Sequence, residues 1–291
     1  AGLTTSALHP TAEKVKSFVC SEKGRAFLRR CRKLGLEVEY ELHAMGDLLP
    51  REFFEENPGF FRMNRQGERA ADWNLCLSAP GAVEYVCRRA VETARVLKPT
   101  TGRYFYWGDD NRPWCHCPKC HSLSDSDQAL LLANHLLEAL REVDSGAQVA
   151  YLAYANTLAP PEKVAPKAGV FLEFAPIHRR YDVPLAAADA KENRGNLELL
   201  DANLALFGAD TAQALEYWLD ASRFSQWKRP SVKIPWSREI MAADLDTYGG
   251  RGVRHITTFA VYVDAEYMAM HGEPPVEEYG DLLYRWPAKR G

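Results

Sequence analysis

Short apolar runs alternate with longer amphipathic stretches along almost the whole chain. Runs at 36–43, 73–78, 104–107, 149–154, 170–174, 214–219, 232–235 and 256–263 have the length and the β-branched or aromatic content of strands. Helical periodicity fills most of the gaps. It is mixed over 11–34, and over 82–96 it sets Val83, Val86, Ala90, Val91 and Ala94 on one face. It is clearest over 127–143, with Leu130, Leu131, Leu136, Leu137 and Leu140 as the stripe and Ser124 or Ser126 as the cap. Helices are also expected over 196–207 and 238–248, the latter stopped by Gly249 and Gly250. The Pro-rich 158–166 and the polar 189–195 read as loops.

Strands that alternate with helices imply parallel pairing through right-handed crossovers. About eight strands in about 250 residues suit a closed (β/α)8 barrel of the TIM type better than a doubly wound sheet. No GxGxxG follows a strand, and no GxxxxGK[ST] is present. The expectation is a single α/β barrel domain over 1–291. Its first strand is irregular or missing, depending on whether 36–43 is the first strand or the second.

Composition narrows the partners. The 291 residues carry 36 basic and 39 acidic side chains, a net charge of −3, with no basic block. Nucleic acid is therefore not expected, since phosphate binding needs concentrated positive charge. No apolar run approaches the roughly 20 residues of a membrane span, so no membrane partner is expected. The first ten residues lack the basic and apolar parts of a signal peptide. Of the seven cysteines, Cys20, Cys31 and Cys87 sit in helix-like stretches and read as free thiols. The odd number speaks against a complete disulfide framework.

The candidate chemistry gathers where the apolar runs end, because a barrel's βα loops converge there. The run at 104–107 ends in Trp107-Gly108-Asp109-Asp110, and 36–43 ends in His43. Tyr154 and Asn156 close the 149–154 run; Glu173 lies in 170–174 with Arg179 beyond it; Glu216, Tyr217 and Trp218 lie in 214–219. Asp109 and Asp110 are the leading acids, with Glu173 and Glu216 as alternatives from other strands. His43, Trp107, Tyr154, Asn156, Arg179, Tyr217, Trp218 and Trp236 are the candidate substrate-binding residues, the aromatics as a stacking floor for a sugar. Turn and cap roles for Asp109-Asp110 and core roles for the aromatics are the competing structural readings.

Cys115, Cys117 and Cys120 stand within six positions just past the acid pair. They can supply three thiolates to a structural zinc, with His121, His116 or the distant Cys76 as fourth ligand. A disulfide and free thiols are the other readings. No cofactor is expected for catalysis.

Segments 42–69, 75–86, 109–136 and 149–161, with the pattern Asp-x4-Cys-x-Cys-x-x-Cys selecting Asp110 through Cys120, resemble a bacterial family known as domain of unknown function 4838. The resemblance implies a glycoside-hydrolase-like barrel associated with polysaccharide degradation, a carbohydrate partner and a periplasmic or secreted location. More distantly, an acidic pair ending a strand resembles β-hexosaminidases and O-GlcNAcases. That likeness implies a hydrolase of O-glycosyl bonds in which Asp109 polarises a 2-acetamido group and Asp110 is the general acid. A broader likeness to α-glucuronidases implies a uronic-acid alternative in which Arg179 clamps a sugar carboxylate. In the two-carboxylate version Glu173 or Glu216 is the partner of Asp110. A barrel that binds carbohydrate without cleaving it is the alternative class.

Overall fold

The computed structural model describes residues 2–4 and 11–286. Residues 1 and 5–10, part of the stretch read as lacking a leader, lie outside the described residues. The strands are β1 (Gly2–Thr4), β2 (Glu41–His43), β3 (Arg103–Trp107), β4 (Gln148–Ala153), β5 (Val170–Phe174), β6 (Gln213–Glu216) and β7 (His255–Phe259). Their hydrogen-bonded order is β1-β7-β6-β5-β4-β3-β2. The registered pairs are all parallel.

This order corrects the expected closed barrel. A barrel needs every strand paired on both sides, whereas β1 and β2 are the two edges of an open, seven-stranded parallel α/β sheet. Two of the expected strands do not form. Segment 73–78 makes only an isolated antiparallel bridge, Phe61 to Leu75, because Trp73 turns into the left-handed region at φ 38° and Cys76 is drawn to other sulfurs. In 232–235 the amides of Val232 and Ile234 donate to the Ser225 and Tyr267 hydroxyls instead of to a ladder. A strand at Gly2–Thr4 was not anticipated, so Glu41–His43 is the second strand in the chain.

The chain divides into two compact units, 10–171 and 1–9 with 172–291. The first carries α1 (Ala12–Cys20), α2 (Glu22–Lys33), α3 (Met45–Leu48), α4 (Ala82–Val96) and α5 (Asp125–Arg141). The expected helix over 11–34 is thus two helices. Ser21 is extended, and its hydroxyl accepts the Gly24 N–H at 3.0 Å to cap α2. Gly24 is required at this corner, since a Cβ there would meet the Phe18 carbonyl oxygen at 1.9 Å. β3 is buried along its whole length, as a strand covered on both faces must be. α5 packs on α4 and β4 and buries Leu132 where Leu131 was expected. Ser124 and Asp127 close a capping box at its start.

The second unit carries α6 (Lys191–Phe207), α7 (Ala221–Phe224), α8 (Arg238–Gly250), α9 (Ala265–His271) and α10 (Val276–Arg285). α6 starts inside the segment read as a loop. The buried Asn193 side chain exchanges hydrogen bonds with the Arg180 N–H and carbonyl and also reaches the Pro184 carbonyl, which holds the first turn. α8 runs through Gly249 and Gly250. The left-handed residue beyond its end is Gly252, at φ 88°. No helix among the described residues is long and apolar enough to cross a membrane.

Candidate functional site

In the 10–171 unit, the parallel register of β2 and β3 sets His43 beside Trp107. Their rings meet edge to face with centroids 5.1 Å apart. Tyr154 follows β4, its ring centroid 6.2 Å from that of His43. The chain leaves β3 through Gly108, where a Cβ would lie 2.8 Å from both Asn74 Oδ1 and the Trp114 ring. The backbone can turn there only because no side chain is present. His43, Trp107, Asp109, Trp114 and Tyr154 line a small, partly open cleft.

The adjacent acids have different surroundings. Asp109 is largely buried, and its Oδ2 pairs with Arg51 Nη2 at 2.5 Å. Arg51 is held in turn by the Trp73 carbonyl. Burial pushes the Asp109 carboxyl above its ordinary range, and the Arg51 guanidinium opposes that shift. The Asp109 N–H donates to Asn74 Oδ1 at 2.9 Å, and Asn74 Nδ2 donates to the Arg112 and Pro113 carbonyls. Asp110 is half exposed, with its Oδ1 accepting from the Tyr154 hydroxyl at 3.0 Å. His43 Nδ1 lies 2.8 Å from the Gly108 carbonyl oxygen. That oxygen can only accept, so Nδ1 carries the proton. His43 Nε2 then faces Asp110 Oδ1 at 3.8 Å. Asp110 does not cap α5, whose N-cap is Ser124.

Of the four positions expected at a metal, Cys115, Cys117 and Cys120 come together and His121 stays exposed outside the group. The fourth member is Cys76, and all four sulfurs lie within 4.8 Å of one another, buried. All are free thiols. Hydrogen bonds from Cys115 and Cys120 hold the Cys76 thiol well below its ordinary range. This donor set could hold a thiophilic ion.

Asn156 also lines the cleft, and the remaining predicted residues lie in the second unit. Asn156 is exposed and bonds the Arg112 carbonyl and Asp125. In the second unit, Glu216 is fully buried, accepting from Tyr248 at 2.6 Å and Tyr181 at 2.8 Å and pairing with Arg179. Arg179 is itself fully buried and binds Asp244 at 2.5 Å. Trp218 donates to the same Asp244 at 3.0 Å. Burial pushes Asp244 up to about 6 against the pull of Arg179. Glu173 is buried and accepts from Gln213 at 2.8 Å. Tyr217 is buried against Phe259, and Trp236 donates to Glu278. Within the second unit, then, Arg179 and Trp218 are committed to internal partners, as are both oxygens of Glu216.

Sequence reasoning did not single out Arg51, Asn74 or Trp114 for this cleft. Arg51 opens a short 3-10 turn and Asn74 lies in an irregular segment, and nothing in their spacing marks them. Asn74 does have a neighbour that signals it, since Cys76 was already a candidate ligand two residues on.

A family model described as "Domain of unknown function (DUF4838)" matches residues 17–200. A search of curated proteins found no match. The chain belongs to the DUF4838 family.

Proposed function

We propose that this member of the DUF4838 family is a glycoside hydrolase that binds carbohydrate in the cleft at the ends of β2, β3 and β4, with Asp110 as the proton donor. The observation that carries this reading is the neighbouring acid pair. Asp110 stands half exposed under the Tyr154 hydroxyl, and Asp109 lines a cleft walled by Trp107, Trp114 and Tyr154. Trp107 and Trp114 are buried, so of these three rings the half-buried Tyr154 is the one that can meet the apolar face of a sugar. Left-handed backbone at the non-glycine residues Trp73, Asn111 and Ala155 adds support. Such conformations cost about 1–3 kcal/mol each and concentrate at functional sites.

In the substrate-assisted version, Asp109 is anchored through Oδ2 by Arg51, and its other oxygen accepts the N–H of a 2-acetamido group. The acetamide oxygen attacks the anomeric carbon, and the leaving glycosidic oxygen takes the proton of Asp110. Tyr154 occupies Oδ1, so Oδ2 carries that proton. Water then opens the oxazolinium intermediate, with Asp110 as base. The two-carboxylate version is less well supported, since Glu216 and Glu173 are fully buried and Glu216 is saturated by Tyr181, Tyr248 and Arg179. A barrel-free binding role without cleavage is favoured by one observation, the Arg51 pairing that gives Asp109 a structural partner.

The test is a panel of chromogenic glycosides, N-acetylhexosaminides and uronides included, with wild type beside Asp110→Asn. Turnover of an N-acetylhexosaminide that falls about a hundredfold or more in the variant supports the reading. Turnover confined to sugars without an acetamido group removes the substrate-assisted step. Oligosaccharide binding by calorimetry that is unchanged in Asp110→Asn, without turnover, favours the binding role.

A further inference from the structure

We propose that Cys76, Cys115, Cys117 and Cys120 form a closed tetrathiolate site for a zinc ion, with Cys76 and not His121 as the fourth ligand, and that the ion clamps the Asn74 loop to the loop behind the acid pair. The proposal is independent of whether the cleft cleaves sugars.

The geometry fits a tetrahedron. Zn–S bonds of about 2.3 Å place thiolate sulfurs about 3.8 Å apart. The Cys76 and Cys117 sulfurs are 3.7 Å apart, and no pair among the four exceeds 4.8 Å. A disulfide would bring two sulfurs to about 2.05 Å and turn them away from the others. Four buried thiols converging on one point, with Met63 and Ala79 as the partly buried apolar neighbours among the described residues, do little as a hydrophobic cluster.

The surroundings suit thiolates. The Met63 N–H donates to Cys115 Sγ at 3.3 Å and the Cys117 N–H to the same sulfur at 3.5 Å. The Ser78 hydroxyl lies 3.3 Å from Cys117 Sγ. Arg69 Nη2 reaches Cys76 Sγ at 3.7 Å, its other nitrogen fixed on the Phe61 carbonyl. Four thiolates around a divalent ion carry a net charge of −2, so amide donors and one guanidinium are the outer partners such a site needs.

Four protein ligands leave no open position, so the ion acts structurally. Its effect on the cleft runs through the chain. Cys76 lies two residues past Asn74, and Cys115 two residues past Pro113. Asn74 itself bonds the Asp109 N–H and the Arg112 and Pro113 carbonyls. The two loops share no ladder beyond these bonds and the His116 N–H to the Met63 carbonyl among the described residues. Asn74 is therefore a positioning residue whose own position the metal holds.

The experiment measures metal content by mass spectrometry in the full chain purified with zinc, for wild type, Cys76→Ser and His121→Ala. One zinc per chain in wild type and in His121→Ala, lost in Cys76→Ser, is expected. Should Cys76→Ser fail to fold, zinc-edge X-ray absorption on wild type decides. Four sulfurs at about 2.3 Å support the site, and three sulfurs with one nitrogen at about 2.0–2.1 Å overturn it. Wild type that folds and keeps no zinc after dialysis overturns the proposal, as does stoichiometric iron or loss of zinc in His121→Ala.

Discussion

The side-chain oxygen of Asn74 accepts the backbone N–H of Asp109 at 2.9 Å, although 35 residues separate them in sequence. This bond orients the first acid of the pair from behind, while Arg51 holds its carboxylate from the side. Asn74 is fully buried, so water cannot take over any of its three hydrogen bonds.

Asn74→Ala is therefore expected to cost about 1–3 kcal/mol, because it takes the partner from the Asp109 N–H and the Pro113 carbonyl, whereas the Arg112 carbonyl keeps the Asn156 amide. Urea unfolding of the variant measures this. A loss under about 1 kcal/mol would show that other contacts hold the loop.

Arg51 and Asp109 should couple energetically. A double-mutant cycle with Arg51→Met and Asp109→Asn is expected to give about 1 kcal/mol, since the side chains are 30% and 15% exposed and partly screened. Burial raises the Asp109 pKa in the folded chain, so the folded state binds the proton more tightly than the unfolded state does. This group's contribution to stability accordingly falls as pH rises from the unfolded value of 3.8 through the folded one. Arg51→Met removes the opposing pull and should move the Asp109 carboxyl resonance to titrate at higher pH. An unchanged titration would sink the coupling.

Asp127 behaves in the opposite sense. Its Oδ1 accepts the N–H groups of Glu162, Lys163 and Val164, and its Oδ2 closes the cap of α5 with Ser124. Burial raises its pKa, but these donors outweigh burial and the net shift is downward. Its stabilisation is present above the unfolded value of 3.8 and is lost as pH falls through the lower folded value. Asp127→Ala should cost about 2–4 kcal/mol at neutral pH from the cap and the orphaned amides. It should also flatten stability against pH below about 4. Denaturant midpoints across that range check both.

Arg179→Met strips the cation from two buried carboxylates, Glu216 and Asp244. A loss of about 3–5 kcal/mol is expected, in line with breaking a buried pair. Trp218→Phe, which removes only one donor to Asp244, should cost about 1 kcal/mol. Thermal unfolding of both variants tests the order, and equal losses would contradict it.

Removal of the proposed metal should loosen both loops that it joins. After chelation, amide hydrogen exchange is expected to rise across 61–78 and 109–121 while β3 and α5 stay protected. Uniform exchange across the unit would instead indicate global unfolding.

Local pattern carried much of the fold. The buried strand at Arg103–Trp107, the capped helix from Ser124 and the parallel pairing of alternating elements follow from runs of apolar residues and a Ser-x-x-Asp cap. The acid pair and three of the four clustered cysteines were legible because they adjoin in sequence. Closure of the sheet was not legible, because it depends on pairing partners and not on the strands themselves. Segment 73–78 has the alternation of a strand, yet Cys76 and Asn74 bind across loops instead.

The sequence by itself determined most of the element types, the family, and the adjacency of Asp109, Asp110 and three of the four clustered cysteines. Only the tertiary structure decided that the sheet is open, that Cys76 joins the cysteine group, and that Glu216 and Arg179 neutralise each other in a core. The reason is physical. Periodicity and caps act over a few residues, whereas a buried charge or thiol takes its meaning from partners that the chain brings from far away.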